Sequence, residues 1–136
     1  MPPLNTKRIS LRSERGQAMA ELALILPVLA LLLFGIVQFG IVFHQYITVT
    51  DAVRAGARKA VVSRHDGNPA GTAATAVRDS AGGLDAAKLA ITVEAPGGWA
   101  PGEDVKVCAA YPYTIDLVGV VLKAGNLTSC TTERIE

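Results

Sequence analysis

Glu21 is the residue in this chain with the most chemistry to explain. It stands at the mouth of an apolar run, residues 22–43, that only Gln38 interrupts, and it follows Gly16 by five positions. The run, at about 1.5 Å of helical rise per residue, spans roughly 33 Å, the thickness of a bilayer's hydrocarbon. A carboxylate at the edge of such a segment is costly unless something answers its charge, so an acid there implies a partner group. Without one, Glu21 caps the positive end of a helix or rests among headgroups.

Other reactive side chains are few. Cys108 and Cys130 lie 22 positions apart, and an even pair in an exported segment reads as one disulfide, with two separate thiols as the alternative. His44 and His65 are the only histidines, and neither has metal-ligand spacing to the other or to a cysteine. No phosphate-binding loop and no nucleophile motif occurs. The chain therefore reads as a non-enzyme that needs no cofactor and holds no metal.

Charge is distributed unevenly. Lys7, Arg8, Arg12 and Arg15 against Glu14 give the first sixteen residues a net +3, while the remaining 120 carry −2. The basic charge is local and is not a nucleic-acid footprint. Basic residues before a first membrane segment stay in the cytoplasm, so the chain after Phe43 emerges on the outer face. The apolar run is longer than a signal-peptide core and lacks a convincing small-residue cleavage site after it, so it is expected to be kept.

The elements that must position these residues follow from periodicity. One helix is expected from about Ala18 to Ser63, membrane-spanning over 17–43 and amphipathic over 44–63. In its second part Tyr46, Val49, Val53, Ala57 and Ala60 share a face, and Asp51, Arg54, Arg58 and Lys59 fall opposite. Pro27 removes a donor and crowds the preceding turn, which predicts a kink. Ala52, Gly56 and Ala60 form a smooth ridge suited to close packing, either on the chain's own domain or on a partner. Asn68 and Pro69 start a second helix that ends before Gly82 and Gly83. Strands are expected over 90–95, 104–113 and 127–135, and residues 115–122 are expected to form a loop or short helix because Asp116 and Gly119 interrupt them. The fold class is α+β, with a small antiparallel sheet of about three strands packed on the amphipathic part of the first helix. The outer portion is small enough that a disulfide staple would help it fold.

The stretch Gly16-Gln-Ala-Met-Ala-Glu-Leu-Ala-Leu-Ile-Leu-Pro-Val-Leu, continued by Phe34-Gly-Ile-Val-Gln-Phe-Gly and Thr50-Asp-Ala-Val-Arg-Ala-Gly-Ala-Arg, is similar to the TadE family of minor pilins, or pseudopilins, of tight-adherence pilus systems. Two departures are Leu22, where an aromatic is frequent, and Gln38, where an acid is common.

The resemblance implies that residues 1–16 are a cytoplasmic leader that a prepilin peptidase removes after Gly16, leaving Gln17 as the new N-terminus. Glu21 would then meet the Gln17 α-amine of a neighbouring subunit. Residues 64–136 would form a periplasmic or extracellular head on a single-pass inner-membrane protein. Implied partners are other pilins and minor pilins, the peptidase, the inner-membrane assembly platform and membrane lipid. The alternative is an uncleaved membrane-anchored protein whose outer domain binds a partner or ligand.

Overall fold

The computed structural model describes residues 11–117 and 119–136, with side chains from Gly16 onward. Lys7 and Arg8 of the expected leader lie outside the described residues. Helix α1 covers Leu11–Val62 and α2 Pro69–Ser80, followed by a single 3-10 turn at Ala86–Lys88 and strands β1 (Ala90–Glu94), β2 (Asp104–Leu117) and β3 (Val120–Arg134). The strands form one antiparallel sheet in the order β1-β2-β3. This is the α+β composition expected: one long apolar helix, a second short helix and three antiparallel strands.

Helix α1 is already formed at Leu11, the first described residue, seven residues before the expected Ala18. Residues 11–15 contain no proline or glycine to stop a helix, and an interior glycine such as Gly16 costs only about 1 kcal/mol against alanine. At the other end the Lys59 carbonyl accepts both the Ser63 amide at 2.9 Å and the Ser63 hydroxyl at 2.7 Å, so the side chain bonds back to the last turn. Asn68 caps α2 as its sequence predicts: its Oδ1 accepts from the Gly71 amide at 2.9 Å, and Pro69 occupies the first turn.

The chain divides into two compact units between Ile36 and Val37. In the second unit, Val49, Ala52, Val53, Ala57 and Ala60 of α1 join Ala73 and Val77 of α2, Val105, Val107, Ala109 and Tyr111 of β2, and Ile135 in one core. Alternate residues of β2 supply the core, as a strand with one covered face requires. Beyond β3 the chain end is tied down, since the Ile135 amide donates to the Glu103 carbonyl at 2.8 Å and the Gly102 amide to the Ile135 carbonyl at 2.7 Å. Tyr46 departs from the expected buried face and is 43% exposed. At its level the Leu84 loop and residues 111–114 sit beside Ile41, Val42, Gln45 and Thr48 instead.

The ridge of Ala52, Gly56 and Ala60 packs within its own chain. A Cβ on Gly56 would collide with Val77 Cγ2 and stand 3.2 Å from the Ala73 carbonyl oxygen. Gly56→Ala should therefore destabilise the fold by about 1–2 kcal/mol, because overpacking exceeds the gain in helix propensity. A urea midpoint that falls relative to the parent is the expected reading. A rise would mean that α2 stands off from α1.

Residues 115–122 correct the expectation of a loop or short helix. Among the described residues, 115–117 complete β2 and 120–122 begin β3, in a hairpin in which Leu117 pairs with Val120 and Asp116 with Val121. The two supposed interruptions make the turn: Gly119 adopts φ +83°, and its amide donates to Asp116 Oδ1 at 2.8 Å. A bulge between Ile115 and Asp116 leaves Leu122 as the extra residue of β3.

Candidate processing and assembly segment

Helix α1 carries Gly16, Gln17 and Glu21, all exposed, so the bond between Gly16 and Gln17 lies within helical backbone. Gln17 and Glu21 sit four apart on one face, and Gln17 Nε2 donates to Glu21 Oε1 at 3.2 Å. That bond is legible in the spacing, although the sequence reading passed over it. A Cβ on Gly16 meets nothing within 4 Å, so the fold leaves room there for a larger side chain.

Position along the helix decides what Glu21 can do. In the intact chain it stands ten residues after Leu11, nearly three turns in, beyond the reach of the helix N-terminus, whose field fades within the first turn. The capping alternative therefore does not fit the uncut helix. A chain beginning at Gln17 would have Glu21 as its fifth residue, close to both a new α-amine and a new helix start.

The surface beyond Glu21 is apolar and uncovered. Leu24 is 77% exposed and Ile36 73%, and the helix is long and apolar enough to cross a membrane, with a mean hydropathy of 2.6 in its apolar window and none of that window buried. Soluble monomers rarely expose such a continuous apolar surface. Pro27 sits within this stretch, and the helix continues through it.

Elsewhere, the side chains bring together less. His44 is exposed, and His65 Nε2 accepts from Arg64 Nε at 3.0 Å. Among the described residues, no three His, Cys, Asp or Glu side chains gather as metal ligands. Cys108 and Cys130 are joined in a disulfide across directly opposed positions of β2 and β3, with Cα atoms 4.1 Å apart.

The segment that holds Gly16, Glu21 and the apolar helix is the part with a recognisable relative. Residues 16–58 match the TadE-like protein family. The match begins at Gly16 itself and covers about a third of the chain, leaving most of the sheet-bearing region outside it. The match falls on the same residues that carry the resemblance read from the sequence. No curated protein and no solved structure matches the chain. The TadE-like segment thus combines a helix long and apolar enough to cross a membrane with an exposed acid near its start.

Proposed function

We propose that this chain is a minor pilin, or pseudopilin, acting in assembly of a tight-adherence pilus. A prepilin peptidase removes residues 1–16, and residues 17–43 anchor the mature chain in the inner membrane. Residues 44–63 continue the helix, and 64–136 lie in the periplasm or outside the cell. Its role is structural: it packs with other pilins and minor pilins on the inner-membrane assembly platform.

The observation that carries this reading is the coincidence of Gly16, the start of the TadE-like match, with an exposed carboxylate five residues on, at the edge of an uncovered apolar helix. Cleavage releases an ammonium on Gln17 in place of a neutral amide. In a helical assembly, Glu21 of one subunit then meets Gln17 of the next. A misregistered subunit leaves both charges unpaired at a cost of several kcal/mol, so the pair acts through specificity more than net stabilisation.

The unbroken helix across the bond between Gly16 and Gln17 favours the second reading, an uncleaved anchor with a binding domain. Gly16→Leu separates the two. The open space at Gly16 means that the substitution leaves the fold intact. Under the processing account the membrane-bound chain keeps its leader and runs larger than the parent. Equal sizes for variant and parent would overturn the account.

A further inference from the structure

We propose that the tip of the β2–β3 hairpin, formed by Leu117, Val120, Val121 and Leu122, dips into the surface of the lipid bilayer that α1 crosses. The proposal rests on the membrane anchoring set out above. Val120, Val121 and Leu122 are 62%, 60% and 62% exposed. In water such a tip is an aggregation hazard, and exposed turns are ordinarily polar. At a membrane the same residues become an anchor.

The geometry of the second unit places the tip at the right level. Glu133 and Arg134, opposite Val105 and Asp104 of β2, line one cleft with Arg58, Val61 and Val62 of α1. Residues 111–114 line another cleft, of about 380 Å³, with Ile41, Val42 and Gln45. Seven strand steps from Val105 to Pro112 cover about 23 Å, and nineteen helical steps from Val61 back to Val42 cover about 28 Å. Strand and helix therefore run side by side in opposite directions. Beyond Pro112, β2 continues to Leu117, about 16 Å further, on the side of α1 toward Val37.

That level is where α1 changes character. His44 and Gln45 are polar, whereas Val37, Phe39, Ile41 and Phe43 are 50%, 68%, 49% and 54% exposed. Lys88 and Tyr113 line the cleft at the same height, and lysine and tyrosine are the side chains that settle at a membrane–water boundary. From this boundary β2 runs on toward the Val37 end of α1, where the helix surface is apolar.

Two charges set the depth. Asp116 is held at the turn by the Gly119 amide, and Lys123 is exposed opposite Ile115. Lysine can extend its ammonium back to the headgroups, but a carboxylate cannot follow the apolar residues to the bilayer centre. An upright hairpin would carry the tip about 16 Å in, so Asp116 keeps the ribbon inclined and the tip shallow, about 5–10 Å into the headgroup and acyl boundary, as an interfacial amphipathic element lies. Leu122, the bulge residue without a cross-strand partner, is one of the side chains that enter.

Tryptophan fluorescence tests this on the full chain reconstituted in phosphatidylcholine vesicles at low protein density. Leu122→Trp and Val121→Trp are made singly, their signals are read as differences from the parent with Trp99, and Leu32→Trp reports α1. Brominated lipids quench a tryptophan that they touch. Trp at 122 or 121 should lose most of its emission to bromines placed near the headgroups and less to bromines at the bilayer centre, whereas Trp at 32 should show the reverse order. Quenching at 32 with none at 121 or 122 would overturn the proposal and leave the anchor standing. Blue-shifted but unquenched emission at the tip would also overturn it, by showing that a second copy covers the hairpin. Absence of quenching at all three positions would overturn the anchor and the proposal together.

Discussion

Glu21→Ala should leave the chain processed but unable to join a filament. The acid lies beyond the bond between Gly16 and Gln17, and its only side-chain hydrogen bond among the described residues is the exposed one from Gln17, so its loss removes nothing that holds the fold. In the proposed assembly the substitution would leave the neighbouring ammonium unpaired in apolar surroundings. Stranding one member of a buried ion pair costs about 3–5 kcal/mol, which corresponds to at least about a hundredfold loss of incorporation. Comparing the variant's abundance in sheared filaments with that in membranes reads this directly. Glu21→Asp keeps the charge on a shorter arm and should retain part of the parent's incorporation, which a purely steric role for the residue would not produce. Undiminished incorporation of Glu21→Ala would remove the electrostatic basis of the account.

Replacing both Cys108 and Cys130 with alanine should cost the second compact unit about 3 kcal/mol. The disulfide closes a loop across 22 positions of sequence, and opening it restores conformational freedom to the unfolded chain. Both cysteines fall on the sheet face opposite Val105, Val107 and Ala109, with Cys108 half-buried and Cys130 exposed, so the substitution leaves the core untouched. Against a total stability of about 5–15 kcal/mol for a domain of ordinary size, this is a large fraction. Urea unfolding of the detergent-solubilised chain should show a lower midpoint for the variant, and the reduced parent should behave in the same way. A midpoint indifferent to reduction would mean that the β2–β3 pairing already restrains the unfolded chain.

Local signals with strong physical causes were legible in the sequence. The apolar run fixed the long helix, Asn68 with Pro69 fixed the start of α2, and alternation from Val105 to Tyr111 identified the covered face of β2. Signals that depend on partners distant in the chain were not. Whether Gly56 met its own chain or another depended on where α2 lay, and Val77 supplied the answer. Asp116 and Gly119 looked like breaks in an apolar stretch because the turn they build exists only once two long strands pair around it. Tyr46 fits a helical repeat, but the cover over α1 shifts to Gln45 and Thr48 at its height. In the candidate processing segment, Gly16 and Glu21 stand out by type and spacing, while the helical backbone across the bond between Gly16 and Gln17 was not legible, since nothing local to residues 11–15 marks a helix start.

The most direct measurement is the N-terminal residue of the parent chain extracted from membranes of cells that build the pilus. Processing by a prepilin peptidase predicts Gln17, in the arrangement that sets Glu21 beside a free amine. A chain that still begins at Met1 or Pro2 would contradict it.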